Sequence, residues 1–152
     1  MRVSGPFGTA YFRDRHDGPV VLAGGGTGLA PMLAMLDALL SAGVQRRIDV
    51  YAGARAERDL YAHERLAAAQ RAGVTVNRVL SEPEGPTRHR TGFLAQALRD
   101  DPLDLAGAKI YLAGPPVMVD TCIAALEARG VPRRDMHADA FYAAGTPAGA
   151  TV

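Results

Sequence analysis

The chain has 152 residues, with 17 Lys and Arg against 16 Asp and Glu, enough for one domain with a real core and too short for two comfortable ones. Its nearly cancelling, scattered charge offers no basic face for nucleic acid or an anionic membrane. A single cysteine, Cys122, allows neither an internal disulfide nor a four-thiolate zinc or iron–sulfur site.

Apolar stretches are broken by glycine or charge before bilayer length and no leader pattern opens the sequence, so a soluble cytoplasmic protein is expected. Residues 1–17 look like a strand and turn without a partner of their own. Residues 20–23, aliphatic or β-branched after Pro19, read as a strand apolar on both faces, as in the interior of a parallel sheet. From Pro31, the residues Met32, Leu36, Leu39 and Leu40 recur at helical spacing and Gly43 follows as a stop. Residues 48–54 read as a strand, 59–72 as an Ala-rich helix closed by Gly73, and 74–80 as a third strand. The polar, Pro- and Gly-containing stretch 81–91 has neither period and reads as a loop. A helix over 92–100, a strand from Lys109, a helix over 117–129 and a last strand over 135–142 complete the series. Strand and helix alternate throughout, which predicts an α/β fold: an open sheet of about five parallel strands with helices on both faces. The tail 143–152 has little to bury and is expected to be flexible.

The chemistry concentrates where ligands bind in such sheets, beyond the carboxyl ends of the strands. Gly25, Gly26, Thr27 and Gly28 occupy the turn after the first strand, with Pro31 just inside the helix. Glycines bare the backbone amides there, and a helix N-terminus favours an anion such as a pyrophosphate. A triphosphate-cleaving P-loop is a poor match, because Leu29 and Ala30 stand where its lysine and hydroxyl residue belong. Taken alone, the turn also suits a flexible connection into a buried helix, the less favoured of the two readings. A second side-chain-poor turn, Ala113, Gly114, Pro115 and Pro116, ends the fourth strand before another helix, so two such turns frame one cleft.

In order along the chain, "GPFG", "LAGGGTGLAPML", "GARAERDLY", "TGFLAQAL", "YLAGPPVMVD" and "HADAFY" resemble the pyridine-nucleotide domain of the ferredoxin reductase superfamily. The likeness is greatest to reductase components of bacterial aromatic-ring dioxygenases and spans residues 5–142. It implies that NADH, or NADPH, passes a hydride to FAD, which releases electrons singly to a ferredoxin or [2Fe-2S] centre. It also implies residue roles: Gly25 to Gly28 at the pyrophosphate, Thr27 and the turn from Ala113 to Pro116, with Met118, near the nicotinamide, Arg55 and Asp59 by the adenosine, and Asp139 with Phe141 close to the flavin. Thr27, Asp139 and Phe141 are the residues expected nearest the reaction. The protein's part is to align donor and acceptor atoms within roughly 3 to 3.5 Å, since the cofactors carry the reaction.

The flavin motif Arg-x-Tyr-Ser/Thr of these relatives and their four-cysteine cluster do not occur in the chain, and Ala113 stands where many have cysteine. FAD is therefore expected on a flavin domain outside this chain, with residues 1–17 as the end of that barrel and 18–142 as the NAD(P)-binding domain. The domain alone is then expected to be inactive. No acid closes the second strand to select NADH; Arg55 could hold a 2′-phosphate while Glu57 and Asp59 would oppose one, and the likeness leans towards NADH. A non-catalytic nucleotide sensor and an interaction scaffold are the alternatives.

Cys122 shares a helical face with Met118, Ala125 and Leu126 and reads as a buried apolar residue. The four histidines show no metal-ligand spacing. Arg88 and Arg90 read as solvated charges. Phe141, Phe7 and Tyr142 are expected to form an exposed patch facing the flavin domain.

Overall fold

A computed structural model describes residues 16–141; the expectations for the barrel remnant before residue 16, for Phe7 and Tyr142 and for the tail lie outside the described residues. The chain alternates as read: β1 Val20–Gly25, α1 Leu29–Ser41, β2 Ile48–Ala54, α2 His63–Arg71, β3 Thr75–Leu80, β4 Arg90–Thr91, α3 Leu94–Asp100, β5 Lys109–Gly114, α4 Pro116–Ala128 and β6 Met136–Ala140. All pairings are parallel, in the order β4-β3-β2-β1-β5-β6. The sheet has six strands where about five were expected. The addition is β4, two residues inside the stretch read as a loop and too short to show a period. It is held by pairing to Val79 and Leu80, by the Gly92 amide donating to the Leu80 carbonyl at 2.8 Å, and by an Arg90–Asp101 ion pair. Arg90 is thus a brace for the sheet edge and not a solvated charge.

Burial on both faces explains the apolar strands. In β1, Val20 and Leu22 pack with Leu29, Met32, Leu36 and Leu39 of α1 and with Leu66 of α2. Val21 and Ala23 point to the opposite face, against Leu94 and Leu98 of α3 and Cys122 and Leu126 of α4. Cys122 is fully buried as read, and burial pushes its thiol up to about 12. The chain winds outward from β1 to β4 and then returns to β5 on the other side of β1. That reversal opens a crevice at the carboxyl ends of β1 and β5, where sheets of this kind take their ligands.

Candidate functional site

The expected glycine turn splits into two parts. Gly24 and Gly25 finish β1 in register with Ala52 and Gly53 of β2, and the turn itself is the single 3-10 turn Gly26–Gly28 leading into α1. Gly26 has φ 56°, a left-handed backbone that glycine takes without strain, and a Cβ there would meet open space. Gly28 is different. A Cβ on it would lie 2.1 Å from the Ala113 carbonyl oxygen, so its missing side chain is what lets the turn lie against the end of β5. A Cβ on Gly25 would lie 2.4 Å from Met118 Sδ, and one on Gly114 2.7 Å from Met118 Cε. The thioether of Met118 thus bridges the two side-chain-poor turns.

Both helices that start at this rim, α1 and α4, lack a side-chain cap and carry no acid in the first turn. Amides in the first turn of a helix have no partner within it, and the positive end of the helix dipole adds to their pull on an anion; in α1 the Leu29 amide is already taken by the Gly26 and Thr27 carbonyls of the preceding turn and Pro31 has no amide. Pro116 suits the start of α4 because proline has no amide to leave unmatched.

Between these turns and the ends of β2 and β3 lies an open cleft of about 430 Å³. Gly25, Gly26, Pro115 and Met118 line one end. Gly53, Ala54, Arg55, Asp59, Val79 and Ser81 line the side formed by β2 and β3, and Gly92, Phe93 and Leu94 the entry to α3. Phe93 is 63% exposed, so its ring is not part of the core. Gly53 allows close approach here, since a Cβ would meet Leu94 Cδ1 at 2.7 Å.

The walls are braced from outside. The Tyr61 hydroxyl donates to the Gly26 carbonyl at 3.0 Å, which also accepts the Leu29 amide. In a trans peptide the next amide points the opposite way, so these two bonds aim the Thr27 N–H away from α1. Ala62, following Tyr61, has φ 58°, a left-handed conformation that costs a residue with a Cβ about 1 kcal/mol and directs the chain into α2. Across the mouth, Arg58 pairs with Glu84, and His89 Nε2 lies 3.4 Å from a Glu57 carboxylate oxygen.

Of the residues singled out from the sequence, the cleft brings together Gly25, Gly26, Arg55, Asp59, Pro115 and Met118. Thr27 is exposed at the rim, Pro31 sits in the first turn of α1, and Gly28, Ala113 and Gly114 are buried beneath. Pro116 begins α4 beside them. Asp139 pairs in register with Ala113, and the Phe141 amide donates to the Gly114 carbonyl at 2.9 Å. These two therefore stand by the second turn and outside the cleft lining. Phe141 is 40% exposed, as expected for its part of the patch. The sequence reading missed Ser81, Phe93 and Tyr61. Phe93 falls inside the helix expected over 92–100, although its place after Gly92, at the carboxyl edge of the sheet, puts it on the cleft and not in a core.

A doubly wound parallel sheet with a cleft at its topological switch defines a nucleotide-binding domain of the α/β class. More specifically, residues 22–123 match the model of the oxidoreductase NAD-binding domain, and the chain belongs to that family. It is 42% identical over 148 residues to the ferredoxin–NAD(P)(+) reductase component of the naphthalene 1,2-dioxygenase/salicylate 5-hydroxylase systems of a Ralstonia species, a match covering 95% of this chain and 45% of that protein. It is 39% identical to the corresponding naphthalene 1,2-dioxygenase component of Pseudomonas putida, over 95% of this chain and 45% of that protein. Among solved structures, the crystal structure of an Amycolatopsis cytochrome P450 reductase superposes with a TM-score of 0.81 at 33% identity, covering 90% of this chain and 42% of that one. The chain thus spans somewhat less than half the length of these relatives.

Proposed function

We infer that this chain binds NADH or NADPH in the cleft at the carboxyl edge of its sheet and presents the nicotinamide to FAD on a companion domain, for onward one-electron transfer to a ferredoxin or [2Fe-2S] centre of an oxygenase system. The observation that carries this reading is the cleft at the switch point, floored by Gly25 and Gly26, with two uncapped helix N-termini at one end and Arg55 with Ser81 at the other.

Each part of the cleft fits a part of a dinucleotide. Gly26 leaves room for a pyrophosphate beside the first-turn amides of α1, and the bond from Tyr61 fixes the neighbouring peptide. Phe93 offers an exposed ring face for the adenine, with Leu94 and Val79 beneath. Pro115 and Met118 border the end left for the nicotinamide, and the tether from Phe141 to Gly114 ties that end to the edge we assign to the flavin domain. Reduced nicotinamide supplies a hydride and the flavin accepts it, so the residues of this chain bind and orient and need not act as acid or base. Thr27, Asp139 and Phe141 are proposed as the side chains nearest that step. A cytoplasmic setting belongs to the same proposal.

Calorimetric titration of the chain with NADH is expected to give saturable binding; none at millimolar nucleotide contradicts the reading. Mixing the chain and NADH with the flavin domain of a homologous reductase is expected to bleach the flavin absorbance. Binding without bleaching would instead indicate a nucleotide sensor.

A further inference from the structure

The described methionines fall into two groups. Met32, Met35 and Met136 are buried in the core, at 0%, 6% and 4% exposure, whereas Met118 is only partly buried and lines the cleft. Its thioether has little slack on the protein side. A Cβ at Gly25 would collide with Sδ, and one at Gly114 would meet Cε at 2.7 Å and Sδ at 3.1 Å. The approach from solvent is open, since its neighbours Pro115 and Val117 are exposed, Val117 at 75%. Cys122, the one cysteine of the chain, is fully buried and offers no competing sulfur.

Building on the dinucleotide reading, we propose that Met118 is a site of reversible oxidation, where a hydroperoxide converts the thioether to a sulfoxide and closes the nicotinamide end of the cleft. With hydrogen peroxide, one oxygen bonds to Sδ, the O–O bond breaks and the other oxygen leaves as water. Sulfur gives up two electrons and the peroxide takes them. The change turns an apolar, adaptable side chain into a bulkier, polar one. Because Gly25 and Gly114 already lie against the thioether, the added oxygen either spreads the two turns or stands in the space left for the nicotinamide. The other end of the cleft, at Arg55, Ser81 and Phe93, keeps its shape. Electrons that the proposed reaction loses to dioxygen yield hydrogen peroxide, two electrons and two protons for each molecule, so the switch limits its own oxidant. Methionine sulfoxide is reduced back to the thioether by dedicated reductases, which reopens the cleft.

The test treats the full chain with hydrogen peroxide, maps its peptides by mass spectrometry and titrates it calorimetrically with NADH and with ADP. Met118 is expected to gain one oxygen well ahead of Met32, Met35 and Met136. NADH binding is expected to weaken by about tenfold, the loss typical of an overfilled site, while ADP binding changes little. A methionine sulfoxide reductase with a thiol reductant is expected to restore the original mass and affinity. Met118→Leu replaces the sulfur at similar volume, and whatever affinity that variant has for NADH, peroxide is expected to leave it unchanged. Oxidation of the buried methionines first, full oxidation of Met118 with NADH binding unchanged, an equal loss of ADP, or the same peroxide effect in Met118→Leu overturns this proposal and leaves the dinucleotide reading standing. Binding of neither nucleotide by the untreated chain overturns both.

Discussion

The glycines around the cleft serve in opposite ways. On the side of β1 and β5, Gly28 lacks a side chain because the backbone of Ala113 occupies its place, and Gly25 with Gly114 makes room for Met118. Those glycines make the fold. Gly53 of β2 belongs with them, packed against Leu94, whereas a Cβ at Gly26 would meet only open space beside the cleft. A run of glycines in a sequence therefore mixes two functions, and only the neighbours brought up by the fold separate them.

Substituting the two kinds of glycine should break the comparison most clearly. Gly28→Ala drives a Cβ into the β5 backbone, which has no rotamer to yield, and is expected to cost about 3 kcal/mol of stability. Gly26→Ala meets no atom and is expected to cost only about 1 kcal/mol, from its left-handed backbone. Urea denaturation of both variants checks the pair, and equal losses would erase the distinction. Next in size, Phe93→Ala is expected to weaken NADH binding by about tenfold, as loss of a stacking surface does, with little change in denaturation midpoint because the ring is mostly exposed. A large fall in stability would make Phe93 a core residue instead. Smallest, Tyr61→Phe removes the bond to the Gly26 carbonyl and is expected to weaken NADH binding by a few-fold, about 1 kcal/mol or less, leaving adenosine binding unchanged. An equal loss for adenosine would place its effect outside the pyrophosphate end.

The order of strands and helices was legible in the sequence because each element buries a face and so carries a period or an apolar run. Boundaries shifted where backbone conformation decided. Gly24 and Gly25 extend β1, α1 begins two residues before Pro31, and the left-handed Ala62 delays α2 to His63. The two-residue β4 had no period to show. At the site, the glycine and proline turns could be read because they sit at strand ends. The partners of Glu57, Arg58 and Asp59 could not, since each is fixed by a bond that only the folded chain forms. Sequence shows that Gly28 lacks a side chain without showing that the Ala113 backbone lies in its place.

The central claim is that the rim at β1, β2 and β5 holds a dinucleotide, and the most direct measurement is a series of amide NMR spectra of the chain as NADH is added. Saturable shifts centred on Gly25, Gly26, Thr27, Arg55, Phe93 and Gly114 are expected. Shifts absent at saturating nucleotide, or clustered at the opposite edge of the sheet, would contradict it.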